Sequence, residues 1–250
     1  MTEHEMVQQL LRIKDQAPVV VDVDKSALVV VDVQRFFARP EYPFAQAFEK
    51  MVPGVTADYF RRVNATVLPN IQHLLACFRA RKLPIIYFAV GCHSPDGRDL
   101  PGWMREFDEV SLMLNGQRVC PPVGDPSGAI EDRVAPLPGE VVLTKSSSGP
   151  LASTNLEQVL RNMGVRSLVV CGLTTAVCVS QTAREMADLS FQVIVAEDAC
   201  TELSAESHRA ALLTFALTFG RVRPTGQIVE LFGAAEARAE PDAAPDRRGM

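Results

Sequence analysis

Residues 167–196 read "SLVVCGLTTAVCVSQTAREMADLSFQVIVA", and the order of patterns within them decides the fold. "SLVVC" (167–171) and "FQVIVA" (191–196) are short, apolar and β-branched, whereas 178–189 between them carries a helical pattern. Strand, helix and strand in such quick succession form a βαβ unit, whose right-handed crossover leaves its two strands parallel. Neither strand alternates polar with apolar, which is the mark of a sheet covered on both faces.

Working outward, the same grammar recurs. "ALVVVDV" (27–33), "PIIYFAV" (84–90) and "EVVLT" (140–144) read as further buried strands, and 58–82, 154–163 and 204–219 as helices. The expected fold class is therefore α/β: a three-layer α/β/α domain with a mostly parallel, Rossmann-type central sheet. Thr154 followed by Glu157 predicts a capping box at the start of its helix, and Gly164 predicts the stop. Residues 91–139 are rich in Pro and Gly and weakly periodic, so they read as a long excursion over the carboxyl edge of the sheet. Three regions follow: an N-terminal extension, 1–25, with an amphipathic helix carrying Leu10, Leu11 and Ile13; the domain, 26–232; and a tail, 233–250, expected to be disordered because it holds almost no large apolar residue.

Composition limits the function. The chain has 250 residues, 47% of them hydrophobic and 22% charged, with a net charge of −5 and no basic stripe. A nucleic-acid partner is not expected from that distribution. No apolar run approaches a membrane span, and the N-terminus lacks the pattern of a signal peptide, so a cytoplasmic protein without a membrane partner is expected. Six cysteines, at 77, 92, 120, 171, 178 and 200, show neither C-x-x-C nor zinc-finger spacing and read as reduced thiols.

In an open parallel sheet, chemistry collects beyond the carboxyl ends of the strands, where strand order switches. That rule selects Asp32 after "ALVVV", Lys145 after "EVVLT" and Cys178 just beyond "SLVVC". Each alone has a plain structural explanation: a turn cap, a solvated lysine, a packed thiol. Together they supply a base, a cation and a soft nucleophile. A helix N-terminus and a nearby ammonium both favour thiolate, so Cys178 is expected to have a lowered pKa. Backbone N–H groups in the tight turn before it can converge as an oxyanion hole.

The segments "ALVVVDVQRFF", "VVLTKSSSGPLASTNLEQVL" and "LVVCGLTTAVCVSQTAREMADLSFQVIVAEDAC" resemble the isochorismatase-like cysteine hydrolases over roughly residues 26–232. The superfamily includes nicotinamidases, N-carbamoylsarcosine amidases, biuret hydrolases and ureidoacrylate hydrolases. The resemblance implies an Asp-Lys-Cys triad of Asp32, Lys145 and Cys178, a cis peptide at Leu173–Thr174, and an oxyanion hole from the N–H groups of Thr174 and Cys178. It implies a homo-oligomer, dimer or tetramer, and points to Phe37 as a pocket aromatic. Trp103 and Tyr42 are further loop aromatics that could line the pocket, and Arg39, Arg98 and Arg105 are candidates for a substrate carboxylate.

Nicotinamidases of the superfamily bind a metal in the loop after the second strand, where this chain offers only His93, Asp96 and Asp99. No metal is expected, and no organic cofactor. Cys178 argues against the branch that cleaves a vinyl ether without cysteine. Beyond Lys145, where relatives often carry an aromatic, this chain has Pro150 and Leu151. The expected activity is cleavage of a C–N bond in a small linear amide, ureido or carbamoyl compound through a thioester, releasing ammonia. The competing readings are an idle relative that binds a metabolite or partner protein, and a thiol redox sensor, for which no resolving cysteine lies at short spacing.

Overall fold

The computed structural model describes residues 1–15 and 21–239. Its centre is a six-stranded sheet: β1 (Ser26–Val31), β2 (Ile85–Val90), β3 (Val141–Lys145), β4 (Ser167–Leu173), β5 (Gln192–Thr201) and β6 (Arg221–Arg223). The strands lie in the order β3-β2-β1-β4-β5-β6, and every pair is parallel. The expectation of a mostly parallel sheet thus becomes a wholly parallel one. β6 was not foreseen, because three residues reading Arg-Val-Arg give too short a signal.

The chain builds outward from β1 to β3, returns to place β4 beside β1, then builds the other way. The switch in strand order falls between β1 and β4. Right-handed crossovers put helices made on the outward and return journeys on opposite faces. One face carries α5 (Leu68–Ala80), which packs on β1, β2 and β5, and the C-terminal helix α10 (Thr225–Ala239), joined to α5 through Phe78 and Phe232 with ring centroids 4.7 Å apart. The other carries α7 (Leu156–Asn162), α8 (Ser180–Asp188) and α9 (Ala205–Thr218). Coverage on both sides leaves every residue of β1 and β4 buried.

Further helices complete the chain: α1 (Glu3–Asp15), α2 (Arg35–Ala38), α3 (Pro43–Met51), α4 (Ala57–Arg62) and α6 (Gly102–Asn115). α1 rests on α9, where the Lys14 ammonium donates to the carbonyls of Ala216 and Gly220. The helix read as 58–82 is α4 and α5 joined by a π turn at Val63–Val67. Residues 91–139 are not a plain excursion: α6 occupies fourteen of them. α10 runs through Ala239, into the stretch expected to lack structure; the rest of that call, 240–250, lies outside the described residues.

The Thr154–Glu157 capping box does not form. α7 starts one residue later, with Asn155 at the cap position; Thr154 Oγ1 donates to the Pro150 carbonyl and accepts from Leu156 N–H, and Glu157 pairs with Arg161. Gly164 closes the helix as expected, in the left-handed conformation at φ +70°. Among the described residues no helix is long and apolar enough to cross a membrane.

Candidate active site

β1 and β4 meet at the switch point with Val31 opposite Gly172. Gly172 has φ +126°, and a Cβ there would sit 2.1 Å from the Val31 carbonyl oxygen, so only glycine lets these strands end together. Asp32 follows Val31 with φ +50°, a left-handed conformation for which Asp is among the more tolerant residues. Its N–H still donates to Phe88 of β2, while its carbonyl accepts from Gln34 N–H. Gln34, itself buried, exchanges two hydrogen bonds with the Val90 backbone and donates to the Gly128 carbonyl. The carboxyl group is thereby aimed from a braced turn.

Lys145, the last residue of β3, is fully buried, as is Asp32. Its ammonium lies 2.8 Å from Asp32 Oδ2 and donates to the carbonyls of Ser147 at 2.8 Å and Ser148 at 3.0 Å. Two of the ammonium's donors go to these carbonyls, and its charge faces Asp32. Burial alone would lower the Lys145 pKa, but the charges of Asp32 and Cys178 outweigh it, and the net shift is upward. The ion pair is held by charge rather than by directed geometry: neither Asp32 oxygen accepts a well-formed hydrogen bond from the described residues. The carboxylate's oxygens are thus unpartnered acceptors, close enough to Cys178 for their charge to act on its thiol.

Cys178 sits in a π turn, Thr175–Val179, that runs straight into α8. The preceding peptide, Leu173–Thr174, is cis. The turn is pinned from three sides: the Thr174 carbonyl accepts from Val177 and Val179 N–H, Ala176 N–H donates to Glu202 Oε2 at 3.0 Å, and Thr175 Oγ1 and His208 Nδ1 share a hydrogen bond of 2.8 Å. Burial, and next the charge of Asp32, push the Cys178 thiol well above its ordinary range; Lys145 pulls the other way without prevailing. This corrects the expectation of a lowered pKa. A helix terminus and an ammonium are present, but the thiol is buried and the ammonium is already matched by a carboxylate.

A cavity of about 450 Å³ opens over Cys178 and Thr174. Its walls come from α2, α3 and α6, whose Phe36, Phe37, Phe44, Phe48 and Phe107 form a chain of rings with centroids 4.0–5.3 Å apart. Phe37 and Trp103 both line it, Trp103 at the half-exposed rim. Tyr42 is absent from the walls and packs against the core instead. Arg39 is spent on Glu131 and Asp132, Arg98 lies in an exposed pair with Asp96, and Arg105 does not reach the cavity. Pro150 and Leu151 are likewise outside it. In the loop after β2, Asp99 is tied to the backbone N–H groups of His93 and Ser94, and among the described residues no cluster of three metal-ligating side chains occurs.

Two residues of the site were not picked out from sequence. Glu202, directly after β5, bridges Ala176 and Leu203 N–H and lines the cavity; the strand-end rule that selected Asp32 and Lys145 applies to it equally. Asp108, on the inward face of α6, accepts from Val119 and Cys120 N–H at 2.9 Å and so fixes the opposite wall.

Fold and site together define an α/β/α domain whose candidate reactive groups, Asp32, Lys145 and Cys178, gather at the switch point of a parallel sheet. An isochorismatase-domain model matches residues 26–227, and the chain belongs to the isochorismatase family. It is 30% identical over 215 residues to the ureidoacrylate amidohydrolase RutB of Azorhizobium caulinodans, covering 82% of this chain and 89% of that one. Against the N-carbamoylsarcosine amidase of an Arthrobacter species the identity is 24%, over 84% of this chain and 72% of the relative. The crystal structure of a cysteine hydrolase from Pseudomonas syringae pv. phaseolicola superimposes with a TM-score of 0.71 at 26% identity, covering 87% of this chain and 98% of the other.

Proposed function

We propose that the chain is a cysteine-dependent amidohydrolase that cleaves a C–N bond through a thioester and releases ammonia. The observation that carries this reading is the buried Asp32–Lys145 pair, its ions 2.8 Å apart, behind a cavity lined by Cys178, whose thiol pKa burial raises. A raised thiol pKa means the nucleophile must be deprotonated as it attacks, and Asp32 is the acceptor within reach. The relatives' names, an amidohydrolase and an amidase, support the same class of reaction.

The cycle balances with these side chains and water. Asp32 takes the thiol proton as sulfur adds to the amide carbonyl, and the N–H groups of Thr174 and Cys178 hold the oxyanion. Lys145 keeps the carboxylate in place and limits the charge that builds around it. Collapse of the adduct expels ammonia with the proton returned by Asp32. Water, giving a proton to the same carboxylate, then opens the thioester to the acid and restores the thiol.

Ammonia release from a panel of primary amides, ureido acids and carbamoyl amino acids, measured for wild type and Cys178→Ala, tests the proposal. Release by wild type with none above background from Cys178→Ala is expected; equal release by both proteins overturns it.

A further inference from the structure

Ureidoacrylate and N-carbamoylsarcosine are both carboxylates, and a site that holds such a substrate needs a cation or free N–H groups to receive it. Among the described residues, no Lys or Arg lines the cavity over Cys178. The nearby cations are engaged elsewhere. Lys145 is bound to Asp32 and two serine carbonyls; Arg118 lies 3.5 Å from Asp108; Arg62 donates to Thr201 Oγ1 and to the carbonyls of Glu202 and Leu203. Arg39, one of the three arginines the sequence offered for a carboxylate, is locked to Glu131 and Asp132.

The charged groups among the described residues that do reach the cavity are acidic: Glu106, Asp108 and Glu202. Glu202 has each oxygen occupied by a backbone N–H, whereas Asp108 spends Oδ1 on two N–H groups and leaves its buried Oδ2 without a hydrogen bond, 3.5 Å from the Arg118 guanidinium. Among the described residues no charged group lining the cavity is positive, so an entering anion meets no counter-charge on its walls. The remaining surface is aromatic and aliphatic, and the volume falls within the range of about 300–1,000 Å³ usual for sites that enclose a drug-sized ligand.

Resting on the amidohydrolase reading, we infer that this site takes an uncharged primary amide with an apolar body of about benzene-ring size, and discriminates against amides that carry a carboxylate. The body lies among Phe37, Phe44, Phe107 and Trp103, ring against ring, and the amide reaches down to Cys178. A carboxylate on the same skeleton would lose its water and meet no counter-charge.

The test uses three near-isosteric amides with wild-type protein: 4-methylbenzamide, 4-carbamoylbenzoate and 4-(aminomethyl)benzamide. The neutral compound is expected to exceed the anion by about a hundredfold or more in kcat/KM. Equal or better turnover of the anion overturns the inference, and so does preference for the cation, which would make the acidic residues its ligands. A second arm does not depend on hydrolysis. Cys178 is alkylated with iodoacetamide and with iodoacetate, sulfur displacing iodide in each case, and the ratio of the two rates is compared with the ratio for free glutathione at the same pH. A ratio at least tenfold in excess of glutathione's supports the inference even if no amide is hydrolysed, in which case only the amidohydrolase reading fails. A ratio equal to glutathione's overturns the inference whatever the turnover.

Discussion

Asp32→Asn should speed the alkylation of Cys178 while abolishing turnover. In the wild type, Asp32 and Lys145 lie 2.8 Å apart, both fully buried, and their opposite charges act on the thiol in opposite senses, Asp32 against the thiolate and Lys145 for it. The amide removes the negative member, so a thiolate loses a repulsive neighbour and gains an unpaired ammonium. A unit charge about 4 Å away contributes about 4 kcal/mol at an effective dielectric near 20. At about 1.36 kcal/mol per tenfold, that raises the thiolate-to-thiol ratio roughly a thousandfold. The burial that disfavours the thiolate is common to both proteins and cancels from the comparison.

The assay is the second-order rate of iodoacetamide labelling at Cys178 at pH 7, read by mass spectrometry with the other cysteines as internal references. At least a tenfold acceleration is expected. The pH profile gives a second reading. In the wild type the thiol's pKa is raised, so it stays protonated through neutral pH, and labelling climbs only as the pH passes beyond the ordinary thiol value of about 8.5; in Asp32→Asn the climb moves to lower pH. Ammonia release should fall to background in the same preparation, since no group remains to carry the proton to the leaving amine. Unchanged or slower labelling in a folded variant refutes the assignment of Asp32 as the charge that keeps Cys178 protonated. Because a buried ammonium left unpaired costs roughly 3–5 kcal/mol, folding is checked by circular dichroism. The double variant Asp32→Asn/Lys145→Gln, which removes both charges, should label near the wild-type rate.

Glu202→Gln replaces one of the two oxygens that accept the Ala176 and Leu203 N–H groups with a donor, freeing the nucleophile turn. A charge-assisted hydrogen bond is worth about 1.5–3 kcal/mol, so kcat should drop roughly ten- to a hundredfold with KM much less affected; steady-state kinetics that show only a KM effect would deny it a positioning role. Gly172→Ala drives a methyl into the Val31 carbonyl at a φ that side chains rarely adopt, and should cost about 4 kcal/mol of stability in denaturant unfolding. A loss below about 1 kcal/mol would mean that the β1–β4 seam is looser than its register indicates.

What the sequence disclosed, and what it withheld, follows from which signals are local. β1, β2, β4 and β5 were legible because a parallel strand covered on both faces is an unbroken apolar run. α6 escaped notice because its buried positions include Asp108 and Ser111, which hydrogen-bond to the loop that follows; an inward face built this way erases the apolar periodicity that marks a helix. The placement of Asp32 and Lys145 was legible because it follows from strand ends and topology. The protonation of Cys178 was not, since it depends on how completely α8 and α9 and the cavity walls exclude water, a collective property that no short motif encodes. The same exclusion accounts for the chemistry. On the proposed mechanism, a thiol that burial and then the Asp32 charge keep protonated passes its proton to that carboxylate as it attacks, so deprotonation is tied to the presence of a carbonyl in the cavity.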